Sequence, residues 1–365
     1  MARRKRRIPF RYLEPVFFGG LLDDPLLFLR VRPAGHALLF DCGQNAHLAK
    51  RVVKPVDTVF VSHAHMDHAM GIPTLVRHHH ASPKPLAIYG PPGMAERVGH
   101  MLQAYDWNLC EPYWFTLLIH EVHERVLRRF AFRGPEGFAG SFLGEEPRIG
   151  KTIWESRYVR VSAELLDHKI PVLAFRIDEK PPFNVDPARL AAAGLTAGDW
   201  LRDLKSRLWQ QPLPGGRSGV KLGENDGELY DRICGEPACA SIGYLTDIGW
   251  TAENRARVAG LFGGLTLLVS ECTFLAADLA KARASCHLCT SDLNELAGLL
   301  KPAWLLPMHL SKSYLRRTVD LYTELSLPAA TGLLTLPRHL APAPLKCEDL
   351  AHWLRPGQRD RQPTP

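Results

Sequence analysis

The chain has 365 residues, with 45 Lys+Arg against 38 Asp+Glu, 46% hydrophobic residues, 16 His and 8 Cys. Charged residues at 23% and an ordinary apolar fraction exclude a disordered, collagen-like or disulfide-scaffold chain, because there is enough apolar surface for a sizeable core. The longest clean apolar stretch, Val258 to Val269, falls short of the roughly 18 residues that a membrane span needs. A cytoplasmic protein with reduced cysteines and no membrane partner is therefore expected. Of the formal net charge of +7, five units equal the Arg3-Arg4-Lys5-Arg6-Arg7 run, which leaves the rest of the chain at about +2. Residues 1–14 read as a basic arm, which either attracts phosphate polyanions or is simply a solvated terminus.

From Val16 onward the pattern is one of short strands. Pro15 to Gly20, Leu26 to Val31 and Ala37 to Phe40 are brief apolar runs punctuated by Gly and Pro, which predicts a hairpin-rich opening. Val56 to Ser62 reads as a strand ending in a polar cluster, followed by helical spacing over Gly71 to His79. Leu86 to Tyr89 is a strand stopped by Gly90-Pro91-Pro92-Gly93, and Met94 to Tyr105 an amphipathic helix. Glu124 to Arg133 alternates basic and apolar residues, as a solvated sheet edge does. The second half repeats the alternation. Strands are expected over Tyr158 to Glu164, Val172 to Ile177, Ser241 to Leu245, Leu265 to Ser270 and Trp304 to Met308. Helices are expected over Pro187 to Leu208, Ala252 to Leu261 and Ser291 to Leu300.

Two strand-rich halves with interleaved helices predict an α/β protein, a four-layer αββα sandwich. Residues 15–345 are expected to form its single catalytic domain, with 346–365 as a C-terminal tail. Arg133 to Gly150 and Gln211 to Pro237 are expected to be long loops or insertions.

The most informative segment is Ser62-His63-Ala64-His65-Met66-Asp67-His68, three imidazoles and a carboxylate directly after a strand. Imidazole nitrogen and carboxylate oxygen are good zinc ligands, and alternate spacing puts His63 and His65 on one face of an extended segment. Asp67 and His68 then serve a second metal from the following turn.

This segment resembles the HxHxDH signature of the metallo-β-lactamase superfamily. Leu39-Phe40-Asp41-Cys42-Gly43, Gly71-Ile72-Pro73 and Ile88-Tyr89-Gly90-Pro91-Pro92-Gly93 narrow the resemblance to ribonuclease Z-like members, the transfer-RNA 3′-processing endonucleases. It spans Pro15 to Tyr314. The resemblance implies the metallo-β-lactamase fold and two zinc ions, with manganese as the other candidate metal. The implied first site is His63, His65, His168 and Asp247, and the second Asp67, His68, Asp247 and His309. His168 is carried by its match to the family's DH-x-IP segment, Asp247 by the bridging carboxylate, and His309 by the final ligand at a strand end. Glu271-Cys272-Thr273-Phe274 and His287 complete the pattern. His287 is the implied proton donor to the leaving group, and Asp67 both coordinates and accepts the nucleophile's proton. Arg77 and Lys312 are candidate substrate contacts. Because Cys286 and Cys289 flank His287, these two with Cys234 and Cys239 read as reduced side chains rather than a Cys₄ zinc site.

The implied reaction is hydrolysis of a transfer-RNA precursor at its 3′ end by two metals about 3.5 to 4 Å apart, leaving a 3′-hydroxyl and a 5′-phosphate. Members of the family are often dimers, which leaves a homodimer open here. The chain departs from the processing enzymes at Gln44-Asn45-Ala46-His47, where they carry Glu-Gly-Thr-Gln, and at Thr246-Asp247, where they carry Gly-Asp-Thr. Two other readings therefore stand beside the ribonuclease: a phosphodiesterase of the same fold for small or cyclic phosphodiesters, and a metal-free nucleic-acid-binding relative.

Overall fold

The computed structural model describes residues 8–209, 225–235, 238–340 and 345–352. The Arg3 to Arg7 run, much of the Gln211 to Pro237 connection and residues 353–365 of the expected tail lie outside the described residues. The strands are, in chain order, β1 (Leu13–Phe17), β2 (Leu27–Val31), β3 (His36–Phe40), β4 (Val56–Phe60), β5 (Leu86–Gly90), β6 (Thr116–Val122), β7 (Val126–Arg133), β8 (Gly140–Pro147), β9 (Thr152–Glu155), β10 (Val159–Asp167), β11 (Pro171–Glu179), β12 (Ser241–Leu245), β13 (Leu267–Glu271), β14 (Trp304–Met308), β15 (Gly332–Thr335), β16 (Leu345–Lys346) and β17 (Ala351–His352). One sheet runs β16-β1-β2-β3-β4-β5-β6-β7-β8, the other β17-β15-β14-β13-β12-β11-β10-β9.

Alternation along each strand sorts side chains between layers. Leu38, Phe40 and Phe60 point into the space between the sheets, where Phe40 stacks on Phe60 at 4.7 Å and meets Phe175 of β11 at 5.6 Å and Tyr244 of β12 at 5.8 Å. Leu39 and Val59 point the other way, against the helices Ile72–His79 and Met94–Gln103. Helices Ala252–Leu261 and Thr290–Leu300 send Val258, Leu293 and Leu296 into the core shared with the second sheet. The αββα layering follows. β3 to β6 are mutually parallel, as are β12 to β15, so their carboxyl ends bring loops from both sheets to one rim, the place where open α/β sheets build sites.

Five expectations change. Arg133 to Gly150 is not a loop, because β8 pairs antiparallel with β7, and β7 is therefore an interior strand rather than the sheet edge. Gly140, Gly144 and Pro147 break the alternation that would mark β8 in the sequence. The strand is held by cross-strand ion pairs, Arg128 to Glu145 at 3.0 Å and Arg129 to Glu146 at 3.8 Å. The Pro187 to Leu208 helix divides into Pro187–Ala192 and Asp199–Trp209, with Gly194 at φ +72° between them. The arm does not reach residue 14: Ile8, Phe10 and Tyr12 are buried, and the Glu179 carboxylate accepts the backbone N–H groups of Arg11, Tyr12 and Leu13 at 3.0, 2.6 and 2.7 Å. Nor does the body end at 345, since Lys346 pairs with Val16 across β16 and β1, and Cys347 is buried. Among the described residues no helix is long and apolar enough to cross a membrane.

Candidate metal centre

The carboxyl ends of β4, β12 and β14 and the turn between β10 and β11 each deliver one part of a single cluster. After β4 the chain stays extended through His65, at φ −67° and ψ 154°, then turns into the short helix Met66–Ala69. His63 and His65 thus leave an extended stretch, and Asp67 and His68 leave the helical turn. His168 sits in the β10–β11 turn, Asp247 two residues past β12 and His309 one residue past β14. Asp41, Lys169, Cys286 and His309 take positive φ values of 53°, 61°, 58° and 59°. For residues other than glycine these cost free energy, and they gather where the loops must aim side chains inward. Gly43 serves the same end, because a Cβ there would stand 1.9 Å from the Asp67 carbonyl oxygen.

The structure brings together His63, His65, His168 and Asp247 as one group and Asp67, His68, Asp247 and His309 as a second, with ligand atoms inside each group within 4.8 Å of one another. Asp247 Oδ2 lies 3.6 Å from His63 Nε2, 3.9 Å from His168 Nε2 and 3.2 Å from His68 Nε2. His309 reaches Asp247 Oδ1 with Nδ1 at 3.0 Å and Asp67 Oδ2 with Nε2 at 3.1 Å. His63, His68, His168 and Asp247 are buried, whereas His65 is exposed and Asp67 is 40% exposed, so the cluster opens on their side.

Partners behind the cluster fix which nitrogen faces it. Buried Asp41 accepts the Ser62 N–H at 2.6 Å and the hydroxyls of Ser62 at 2.9 Å and Tyr244 at 3.1 Å, and sits 2.9 Å from His68 Nδ1. His68 therefore carries its proton on Nδ1. With its own proton given to Asp41, Ser62 Oγ is left to accept from His63 Nδ1 at 3.0 Å. His168 Nδ1 donates to the Cys286 carbonyl at 2.7 Å, and Asn254 binds the backbone of Asp167 and Gly249, joining the His168 turn to the Asp247 loop. All three imidazoles turn Nε2 inward. Asp41, Ser62, Tyr244 and Asn254 received no role from sequence. The available signal was an acidic residue closing an apolar run, as Asp41 follows β3 and Glu271 ends β13.

The donor set fits divalent cations. His68 Nε2, Asp247 Oδ1 and His309 Nδ1 are buried and lack a hydrogen-bond partner, although Asp247 Oδ1 and His309 Nδ1 approach to 3.0 Å without hydrogen-bond alignment. Orphaned buried polar atoms are costly unless an ion satisfies them. Without an ion, protons carry the positive charge. Burial alone would depress His309, but Asp247 and Asp67 raise it to about 10, and Asp247 and Asp41 likewise hold His68 well above the usual range. Burial would raise Asp247, yet His309 and His68 keep its carboxyl well below the ordinary value. His63, desolvated and next to His68, is depressed to about 2.

His287 stands beside this cluster, with Nδ1 3.1 Å from Glu271 Oε2 and 3.8 Å from Asp247 Oδ1. Glu271 is wholly buried and already accepts the Ile248 N–H at 2.8 Å and the Thr273 hydroxyl at 2.7 Å, which makes it the orienting partner of His287. Lys312 lies on the turn Lys312–Tyr314 just beyond His309 and is exposed. Arg77 is not brought to the cluster. It is exposed in the last turn of helix Ile72–His79, about 7.5 Å along the axis from the end that adjoins the metal-binding turn. Neighbouring His79 is buried with its ring nitrogens against the Leu75 and Val56 carbonyls. The groups that could hold a metal among the described residues contain no cysteine.

Residues 36–126 match the family described as "Beta-lactamase superfamily domain". The chain is similar to a ribonuclease Z of Deinococcus radiodurans, 32% identical over 281 residues that cover 76% of this chain and 83% of that protein. It is also similar to a ribonuclease Z of Anoxybacillus flavithermus, 27% identical over 303 residues, covering 80% and 81%. The crystal structure of the metallo-β-lactamase fold protein YhfI from Bacillus subtilis superposes with a TM-score of 0.50 at 14% identity, covering 92% of this chain and 98% of that one, which is a likeness of fold.

Proposed function

Because the chain belongs to the ribonuclease Z family of metallo-β-lactamase-fold, metal-dependent hydrolases, we propose that it is an endoribonuclease that cleaves transfer-RNA precursors at the 3′ end, using two zinc ions held by His63, His65, Asp67, His68, His168, Asp247 and His309. One observation carries this reading: imidazole and carboxylate donors from distant parts of the chain converge, three of their buried atoms are without partners, and this occurs in a chain 32% identical to a ribonuclease Z.

When bound, such ions acidify a water and neutralise the non-bridging oxygens of a phosphodiester. The protein's own groups do the rest. Asp67, the most exposed carboxylate of the set, accepts the proton of the attacking water. His287, whose Nδ1 is held by Glu271, presents its other ring nitrogen to the departing ribose 3′ oxygen and protonates it, leaving a 3′-hydroxyl and a 5′-phosphate. Burial disfavours its charged form, but Glu271 outweighs that and raises its pKa above the ordinary histidine value. Lys312, just past the His309 turn, supplies a cation for the substrate phosphate.

The test compares a 3′-extended transfer-RNA precursor, a cyclic nucleotide and an aryl phosphodiester with the zinc-loaded protein. Cleavage of the precursor with the highest kcat/KM supports the reading. Turnover of the small esters alone overturns it in favour of a small-molecule phosphodiesterase, and RNA binding without metal or cleavage overturns it in favour of a non-catalytic relative.

A further inference from the structure

A cavity of about 230 Å³ is lined by Phe18, Asp24, Gln44, His47 and Leu340 among others. That volume is below the roughly 300 Å³ at which drug-sized sites begin and suits one flat heterocycle. Phe18 is buried and fixed by an edge-on contact with Phe28 at 5.7 Å, giving the cavity a rigid apolar wall. Asp23 is committed to the scaffold, accepting the Gly20 N–H at 2.7 Å and the Leu340 N–H at 3.1 Å and meeting His339 Nδ1 at 2.6 Å. Asp24 differs. It is half-buried, it lines the cavity, and no hydrogen bond or ion pair engages its carboxylate among the described residues.

The cavity adjoins the metal centre. A Cβ built on Gly43 would fall 1.9 Å from the Asp67 carbonyl oxygen and 2.6 Å from Asp24 Cβ, so a single glycine separates the cavity wall from the metal-binding turn. Burial raises the Asp24 carboxyl, and the charges that act on it are Lys312, Asp67, His309 and His68. A cation for phosphate, a metal cluster and an unengaged carboxylate thus lie side by side. The wall also includes Gln44 and His47, from the segment where this chain departs from the Glu-Gly-Thr-Gln of the processing enzymes.

We propose that this cavity seats the nucleobase of a nucleotide flanking the scissile phosphate, its ring against Phe18 and its edge donating N–H groups to Asp24, so that Asp24 sets a base preference; this rests on the ribonuclease reading. Single-stranded RNA bases are recognised in this manner, by an aromatic contact and by hydrogen bonds along the Watson–Crick edge. A carboxylate only accepts. Guanine offers it two adjacent donors, N1–H and the 2-amino group. Adenine and cytosine offer one amino group, and uracil flanks its single N–H with two carbonyl oxygens that the carboxylate repels. The order guanine, then adenine and cytosine, then uracil follows.

The experiment uses 3′-extended precursors in which the nucleotide on each side of the cleavage site is varied through all four bases, with kcat/KM measured for the metal-loaded full chain. For the wild type, guanine at one of the two positions is expected to exceed uracil by roughly tenfold or more, the size of one good bidentate contact. In Asp24→Asn and Asp24→Ala, each checked for metal content, that ratio falls to within about threefold. The wild-type panel needs no variant to fold. Equal kcat/KM for all bases at both positions, or a guanine preference that survives in both variants, overturns the proposal. If an aryl phosphodiester is hydrolysed and no RNA is cut, the ribonuclease reading fails and takes this inference with it, whereas RNA cleavage without base preference removes the inference alone.

Discussion

Asp41→Asn isolates what the residues behind the metal cluster contribute. Asp41 sits at φ 53°, a conformation that Asn tolerates well, so the backbone is not the confounding factor that it would be for Ala. Oδ1, which accepts the Ser62 N–H at 2.6 Å, can remain an oxygen in the amide. The amide nitrogen then replaces Oδ2, which now faces Ser62 Oγ at 2.9 Å, Tyr244 OH at 3.1 Å and His68 Nδ1 at 2.9 Å. Hydroxyls can rotate to accept from an amide. His68 can accept only by moving its proton from Nδ1 to Nε2, the buried atom that faces the second metal group. The substitution thus turns a ligand into a donor. Loss of such a partner costs about 10- to 100-fold in metal affinity, or about 1.4 to 2.8 kcal/mol. The loss should fall on the site that contains His68 and much less on His63, His65 and His168. Chelator competition with metal counted per chain reads both sites. One weakened and one retained site is the expected result. Two sites with wild-type affinity would refute the tautomer argument, and equal weakening of both would mean that Asp41 acts through general packing.

Four further outcomes are expected. The metal-free protein should lose stability as pH rises from about 6.5 toward 10. The folded His309 pKa of about 10 lies above the unfolded value, so its contribution is complete below about pH 6.5 and is lost as pH passes through about 10. The metal-loaded protein, whose ions replace those protons, should show a flatter profile, and denaturation of both forms across this range checks the difference. Metal uptake at neutral pH should release protons, because His68 and His309 hold them beforehand, and pH-stat titration with zinc reads the number. His287→Ala should lower kcat on RNA by about 10²- to 10⁴-fold but spare an aryl diester whose leaving group needs no proton, and equal losses on both would refute the acid role. Asn254→Ala leaves Asp167 N–H and the Asp167 and Gly249 carbonyls without their side-chain partner and should destabilise by at least about 2 kcal/mol in urea, with a change below about 0.5 kcal/mol contradicting it.

How much of this was legible in the sequence depends on how local each feature is. His63, His65, Asp67 and His68 fall within six residues, and an extended stretch running into a helical turn aims all four, so residue types and spacing sufficed to propose them. His168, Asp247 and His309 came only through family resemblance, because nothing local distinguishes a histidine after a strand from a ligand. The Asp41 network was hidden because it joins residues as far apart as Asp41 and Tyr244, which meet only once two sheets stack. Both chain boundaries were misjudged for the same reason. What anchors residues 11–13 is Glu179, and Lys346 reaches Glu14 at 2.7 Å, so neither end can be read from its own composition. β8 was missed because an edge strand rich in glycine and charge carries no period of two.

The most direct test is to map the ends produced from a 3′-extended transfer-RNA precursor by the metal-loaded protein, with and without chelator. A single metal-dependent cut leaving a 3′-hydroxyl on the transfer RNA and a 5′-phosphate on the released trailer is the predicted result. A cyclic or 3′-phosphate end, or cleavage that persists when the metals are removed, would contradict it.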